Sequence, residues 1–124
     1  IGNRSDKFII WKCRHGKTIK SVTGTVSVDT DIVAAVASKR IKVIAYSLIS
    51  ASTTANTITF QSNAVTALWT VPTQAITGTN FGANLSIAAP SFLFATVAGE
   101  KLTLDVSAAV NITYGVSYYD DDSA

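Results

Sequence analysis

From about residue 40 onward, apolar and polar positions alternate with the two-residue period of β-strands. Arg40–Ser50 (RIKVIAYSLIS) is apolar on both faces, the pattern of a central sandwich strand. Thr57–Gln61 sets Ile58 and Phe60 against Thr57, Thr59 and Gln61. Val65–Val71 carries Leu68, Trp69 and Val71, and Pro72 is expected to end it, since proline has no N–H for a ladder. Leu85–Ala88 and Phe92–Ala95 flank Ala89-Pro90-Ser91, a predicted turn or strand break. Lys101–Ser107 puts Leu102, Leu104 and Val106 inward and Thr103, Asp105 and Ser107 outward. Ile112–Tyr119 repeats the pattern with Ile112, Tyr114, Val116 and Tyr118 inward. Turn residues separate these runs at 52–56, 77–82, 98–100 and 108–111.

Upstream, Asp31–Val36 could form one helical turn, but its β-branched flanks favour a strand. No stretch of a dozen residues keeps a 3.6-residue period with caps at both ends. The pattern predicts an all-β fold, a single antiparallel β-sandwich spanning 31–124, with an extended basic N-terminal arm over 1–30. In the arm, Phe8–Trp11 (FIIW) is a compact apolar plug between charged residues, and Lys17–Val28 alternates weakly. Asp120–Asp122 with Ser123 and Ala124 reads as a solvated, frayed acidic tail.

A length of 124 residues suits one domain, and a 48% apolar content supplies a core large enough to offset chain entropy. The charged fraction, 15%, is well below the usual ~25%. That leaves two readings: a surface that faces other subunits, or a Ser/Thr-rich solvent face. No apolar run approaches the ~20 residues of a membrane-spanning helix, and no membrane partner is expected. The single cysteine, Cys13, excludes an intrachain disulfide and fits synthesis in a reducing cytoplasm.

Charge is unevenly placed. Residues 1–42 hold nine basic side chains against Asp6, Asp29 and Asp31, a net of +6. Residues 43–124 hold Lys101 against Glu100, Asp105, Asp120, Asp121 and Asp122, a net of −4. Such asymmetry marks a contact arm. The attachment candidates are Arg4, Lys7, Phe8, Ile9, Ile10, Trp11, Lys12, Arg14, Lys17 and Lys20, with Trp11 the aromatic anchor.

The sequence lacks the pieces of an active site. Cys13 and His15 share a strand face, but nothing supplies an orienting third group, and two ligands do not fill a zinc shell. Asp29 with Asp31, and the acidic tail, do not resemble carboxylates held across a cleft. No glycine loop cradles phosphate. The expectation is a non-enzyme with no cofactor and no metal. Nucleic acid is disfavoured too: the basic arm could grip phosphates, but the acidic body opposes a broad footprint. Trp69 could be a sugar platform, but its apolar surroundings favour a core role.

Ile32–Tyr119 resembles a group of small virion proteins of tailed bacteriophages. The matching segments are IVAAVASKRIKVIAYSLIS, TITFQS and AGEKLTLDVSAAVNITYGVSYYDDD. In the last, Gly99, Glu100, Leu102, Leu104, Ser107, Ala108, Ala109 and Val110 carry a GE-x-L-x-L-x-x-S-A-A-V pattern. The resemblance implies a jelly-roll-like sandwich on the virion, commonly a homotrimer. It would serve as a capsid decoration or cement protein, or as part of a head or tail fibre. The implied partner is a major capsid protein or another virion protein, the implied site the capsid surface, and the implied place of synthesis the host cytoplasm. The alternatives are an adhesin module binding host glycans around Trp69–Phe81, and a nucleic-acid-binding module using the basic N-terminus.

Overall fold

The computed structural model describes residues 18–50, 53–73 and 81–121. The described residues form strands β1 (Lys20–Val26), β2 (Thr30–Val33), β3 (Arg40–Ser50), β4 (Asn56–Ser62), β5 (Thr66–Thr73), β6 (Phe81–Ser86), β7 (Phe94–Ala95), β8 (Leu102–Val106) and β9 (Ile112–Asp121). One sheet has the order β1-β9-β3-β6, with β7 also pairing with β3; the other has the order β2-β8-β4-β5. Neighbouring strands pair antiparallel. The chain changes sheets at most connections, which gives a jelly roll, two Greek keys folded into a sandwich. The expected all-β antiparallel sandwich is the observed fold.

The core follows from the alternation. Ile58 and Phe60 of β4, Leu102 and Leu104 of β8, and Ile112, Tyr114 and Val116 of β9 all face the space between the sheets. Strand β3 supplies Ile41 and Val43, then Tyr46 and Leu48. The switch from odd to even positions is a bulge between Val43 and Ala45 in the ladder with β9. One extra residue sends every later side chain to the other face. This explains why β3 reads as apolar on both sides: Ile44, at the bulge, is buried as well. Where β1 crosses Tyr114, Gly24 leaves room for the ring, and a Cβ there would lie 2.8 Å from the Tyr114 hydroxyl.

The Gly-Glu pair of the sequence pattern has a backbone role. Gly99 adopts a left-handed φ of 79°, and the turn closes through the Glu100 N–H donating to the Val97 carbonyl at 3.0 Å. Glu100 then accepts the hydroxyl of the buried Ser62 at 2.6 Å, and that hydroxyl accepts the Val97 N–H at 3.0 Å.

The structure revises five expectations. Strand β6 covers Phe81–Ser86, where the end of a turn at 77–82 and a strand at Leu85–Ala88 were expected. Residues 20–26, counted with the arm, form β1 and pair with β9 along their length. Strand β5 continues through Pro72 to Thr73. Its partner Thr57 bonds on the other side to Ser107 of the β8 end, so the proline nitrogen faces away from β4, where no donor is needed. Phe92–Ala95 contracts to the two residues of β7, because the segment before it packs across the sheet. Asp120 and Asp121, expected in a frayed tail, belong to β9, with Asp122 beyond the described residues.

Asn56, 2% exposed, holds the start of β4 to the turn after β8. Its Oδ1 accepts from the Ser107 N–H (2.8 Å), the Ser107 hydroxyl (3.0 Å) and the Ala108 N–H (3.0 Å). Asn56→Ala takes the acceptor from the Ser107 hydroxyl and the half-buried Ala108 N–H, while the Ser107 N–H keeps the Thr57 carbonyl. It is expected to lower unfolding free energy by about 2 kcal/mol in urea titrations, with no change in the far-ultraviolet spectrum.

Candidate functional site: the uncharged outer face and flank of one sheet

From Val43 to Gly99 no residue carries a charge. This run contains β4, β5, β6, β7 and nearly all of β3, so the side of the sandwich where β5 and β6 lie at the two sheet edges is neutral. The charged strand positions lie elsewhere: Lys20, Asp31, Arg40, Lys42, Asp105, Asp120 and Asp121.

The outer face of the β1-β9-β3-β6 sheet extends this neutrality. Cross-strand register builds it in rows: Ser21, Ser117, Ala45 and Ser86; then Thr23, Gly115, Ser47 and Asn84; then Thr25, Thr113, Ile49 and Gly82. All are uncharged and most are small. Ser21 and Ser117 share a hydrogen bond at 3.2 Å, as do Thr25 and Thr113 at 3.0 Å. A shallow groove of about 330 Å³ runs across the first two rows, with Gly115 among its lining residues. Larger apolar groups are also exposed on the molecule, among them Ile19, Ile49, Leu85, Ile87 and Phe92.

At one end of this face a short segment folds over the sheet. The Ile87 N–H donates to the Ile44 carbonyl (2.8 Å) and the Leu93 N–H to the Val43 carbonyl (2.7 Å). Beneath it lies Lys42, 3% exposed, 2.7 Å from the Asp121 carboxylate and 5.1 Å from the centre of the Phe92 ring. The Tyr119 ring is 5.9 Å away, and its hydroxyl donates to the Pro90 carbonyl. Burial of an ion pair under aromatic rings ties β3, β9 and the overlying segment together. Lys42→Met removes the ammonium and leaves the carboxylate in a dry site. The expected loss is about 3 kcal/mol in urea unfolding, largely recovered in Lys42→Met/Asp121→Leu.

Elsewhere, Lys20 donates to Asp120 at 3.1 Å, and that contact raises the pKa of the exposed ammonium. Lys39 lies 3.9 Å from the same carboxylate, and Lys101 reaches Asp31 at 3.0 Å. Asp29 accepts the Val106 N–H at 2.9 Å and sits against Asp105. Partial burial, and then the hydrogen bond and charge of Asp29, raise the Asp105 carboxyl above its ordinary 3.8. The native state therefore holds this proton to higher pH than the unfolded chain, and stability falls as pH rises through that window. Asp105→Asn is expected to raise the urea midpoint at neutral pH and to leave it nearly unchanged at pH ~3, below the ordinary carboxylate range.

Of the predicted attachment residues, Lys20 lies in β1 and is paired with Asp120. Arg4, Lys7, Phe8, Ile9, Ile10, Trp11, Lys12, Arg14 and Lys17 lie outside the described residues, as do Cys13 and His15. Among the described residues no three His, Cys, Asp or Glu side chains gather into a metal-binding group. Trp69 packs against the core. Its ring stacks on Phe94 at 5.5 Å and its N–H donates to the Tyr46 hydroxyl at 3.0 Å. The face residues Ser21, Thr23 and Thr25 belong to β1, within the stretch that the sequence pattern assigns to the arm. The signal was there in the polar alternation of SVTGTV.

No protein-family model matches the chain, and no curated protein matches it in sequence. Solved structures do resemble it. A chain of the virus-like particle of giant freshwater prawn Macrobrachium rosenbergii extra small virus matches at 13% identity and a TM-score of 0.39, over 88% of this chain and 82% of that one. A Bacillus endospore appendage, a disulfide-linked pilus, matches at 18% identity and 0.40, over 83% and 89%. A carbohydrate-binding module of Cellvibrio mixtus lichenase 5A, solved with cellotriose, matches at 7% identity and 0.37, over 88% of each. These three proteins differ in role, and the likeness concerns the sandwich alone.

Proposed function

We propose that the chain is a non-enzymatic structural protein of a virion, a decoration or cement protein seated on the outer surface of a phage-type capsid. One observation carries this reading: charge is segregated. Everything from Val43 to Gly99 is neutral, while nine of the ten basic residues lie in the first 42 positions. A neutral flank and outer face can be covered by other protein surfaces without stripping water from ions. The basic first third, with its FIIW plug, has the composition to seat on an acidic shell and anchor by aromatic burial. Such a protein stabilises a shell by mass action, because it binds the assembled form and not its separated subunits. Self-association belongs to the same reading, since a neutral face and flank can be covered by further copies of the chain.

The glycan-binding reading is weaker. The aromatic platform it would use, Trp69, is occupied by Phe94 and Tyr46, and the groove on the outer face is lined without an outward aromatic ring.

Deleting residues 1–16 spares β1, which begins at Lys20. The truncated protein is expected to keep the circular dichroism spectrum of the full chain and to lose co-sedimentation with capsids. Undiminished co-sedimentation would defeat the proposal.

A further inference from the structure

The outermost strand of any sheet presents unpaired N–H and C=O groups that can template another strand, and proteins guard such edges with charge, proline, bulges or brevity. Among the described residues the longer edge strands are β1, β6, β2 and β5, and the two-residue β7, beside β3, is guarded by its brevity. Three of the longer four carry a guard. Strand β5 contains Pro72, and its ladder with β4 is broken by a register shift at Phe60/Gln61. Strand β2 is four residues long, has a register shift, and bears Asp31 ion-paired to Lys101. Strand β1 opens on Lys20 and follows Arg4, Lys7, Lys12, Arg14 and Lys17 in the chain. Strand β6 carries none of these devices. It has no charge and no proline, and its register with β3 is unbroken from Ser86 to Phe81.

A second observation concerns side chains. Phe81, Ala83 and Leu85 lie opposite Ser50, Leu48 and Tyr46, the core-facing positions of β3. They therefore share the core-facing side of the sheet. Yet Leu85 is 43% exposed while Tyr46 beside it is 8% exposed. Among the described residues, the apolar row of the sandwich thus runs out to this edge, and no described strand covers it.

We propose that β6 is the site at which a second copy of this chain pairs, edge to edge and antiparallel about a two-fold axis. This rests on the reading of the chain as an assembly subunit and names one of its contacts. The Ile87 N–H donates to the Ile44 carbonyl, so alternation along the ladder turns the N–H and C=O groups of Gly82, Asn84 and Ser86 away from β3. A two-fold register centred on Ala83 sets Gly82 of each copy against Asn84 of the other, as hydrogen-bonded pairs. It also sets Leu85 opposite Phe81 twice, continuing the core-facing row across the junction. A second β6 suits this edge because the incoming strand must be uncharged and apolar on that side. No charge is brought together, since none lies between Val43 and Gly99. A six-residue strand gives a contact only about 20 Å long, small beside a standard interface of roughly 800 Å² per partner. The pair is therefore weak in isolation and accumulates strength in a larger array.

Sedimentation equilibrium of the full chain from micromolar to millimolar concentration tests this. The expected result is a reversible monomer–dimer equilibrium. Asn84→Pro removes an outward N–H and spares the bonds to β3. Asn84→Lys places two ammonium groups diagonally across the axis. Each is expected to weaken dimerisation at least tenfold with an unchanged urea midpoint. If the proline variant does not fold, the lysine variant decides. A monomer at all concentrations, a three-fold mass, or undiminished association of Asn84→Lys would overturn the inference. Capsid co-sedimentation of the full chain is read separately: a monomer that still binds shells rejects the β6 contact and leaves the proposed function standing.

Discussion

The pairing of β3 with β9 is the interaction on which the rest of the molecule depends. The two strands lie at the middle of their sheet, and β1 and β6 attach to either side of them. Their ladder runs from Arg40 opposite Asp121 to Ser50 opposite Ile112. Closing it brings together residues some seventy positions apart, a cost in chain entropy that the strands recover only through the core they bury together. The bulge near Ile44 lets one strand serve two environments. Ile41, Val43, Tyr46 and Leu48 fill the interior, while Lys42 is turned outward onto Tyr119 and Asp121. Without the extra residue, either the first or the second half of β3 would present its apolar side to water.

The same ladder organises the electrostatics. Lys20, Lys39 and Lys42 meet Asp120 and Asp121 at the far end of β9, so much of the described charge is used within the fold. What remains is an outer face built from Ser, Thr, Gly, Ala and Asn with the exposed Ile49, and a flank with no ions. A neutral surface forgoes the like-charge repulsion that keeps proteins apart in solution. It is tolerable on a lone molecule because Ser and Thr side chains satisfy water, and useful on a covered one because little has to be dehydrated.

Much of this was legible in the chain. Strands β8 and β9 follow directly from the alternation at Leu102, Leu104, Ile112, Tyr114 and Val116, and the turn at Gly99 from its glycine. The long β3 was evident, although its bulge was not, because a bulge is a mismatch with a partner strand and the partner is distant in sequence. Tyr119 is buried for that reason: it lies opposite Lys42, under the segment around Pro90. Strand β1 was hidden because Ser, Thr and Gly alternate with too little contrast in hydropathy. The candidate face draws its rows from four strands spread from Ser21 to Ser117, so no local pattern announces it. The charge-free run that accompanies it is plain in the sequence, but its meaning required knowing which strands lie side by side.

The ladder between β1 and β9 joins Lys20 to Tyr118 and Val26 to Ile112. During translation β1 is made well before its partner β9, with seven other described strands between them. The first sheet cannot close until residue 121 has emerged, so the nascent chain must carry β1 and one side of β3 unpaired until β9 follows. The polar alternation of β1 suits that wait. A strand whose only apolar side chains are Val22 and Val26 attracts few improper partners while it waits, whereas a more apolar one in the same place would be exposed to misassociation.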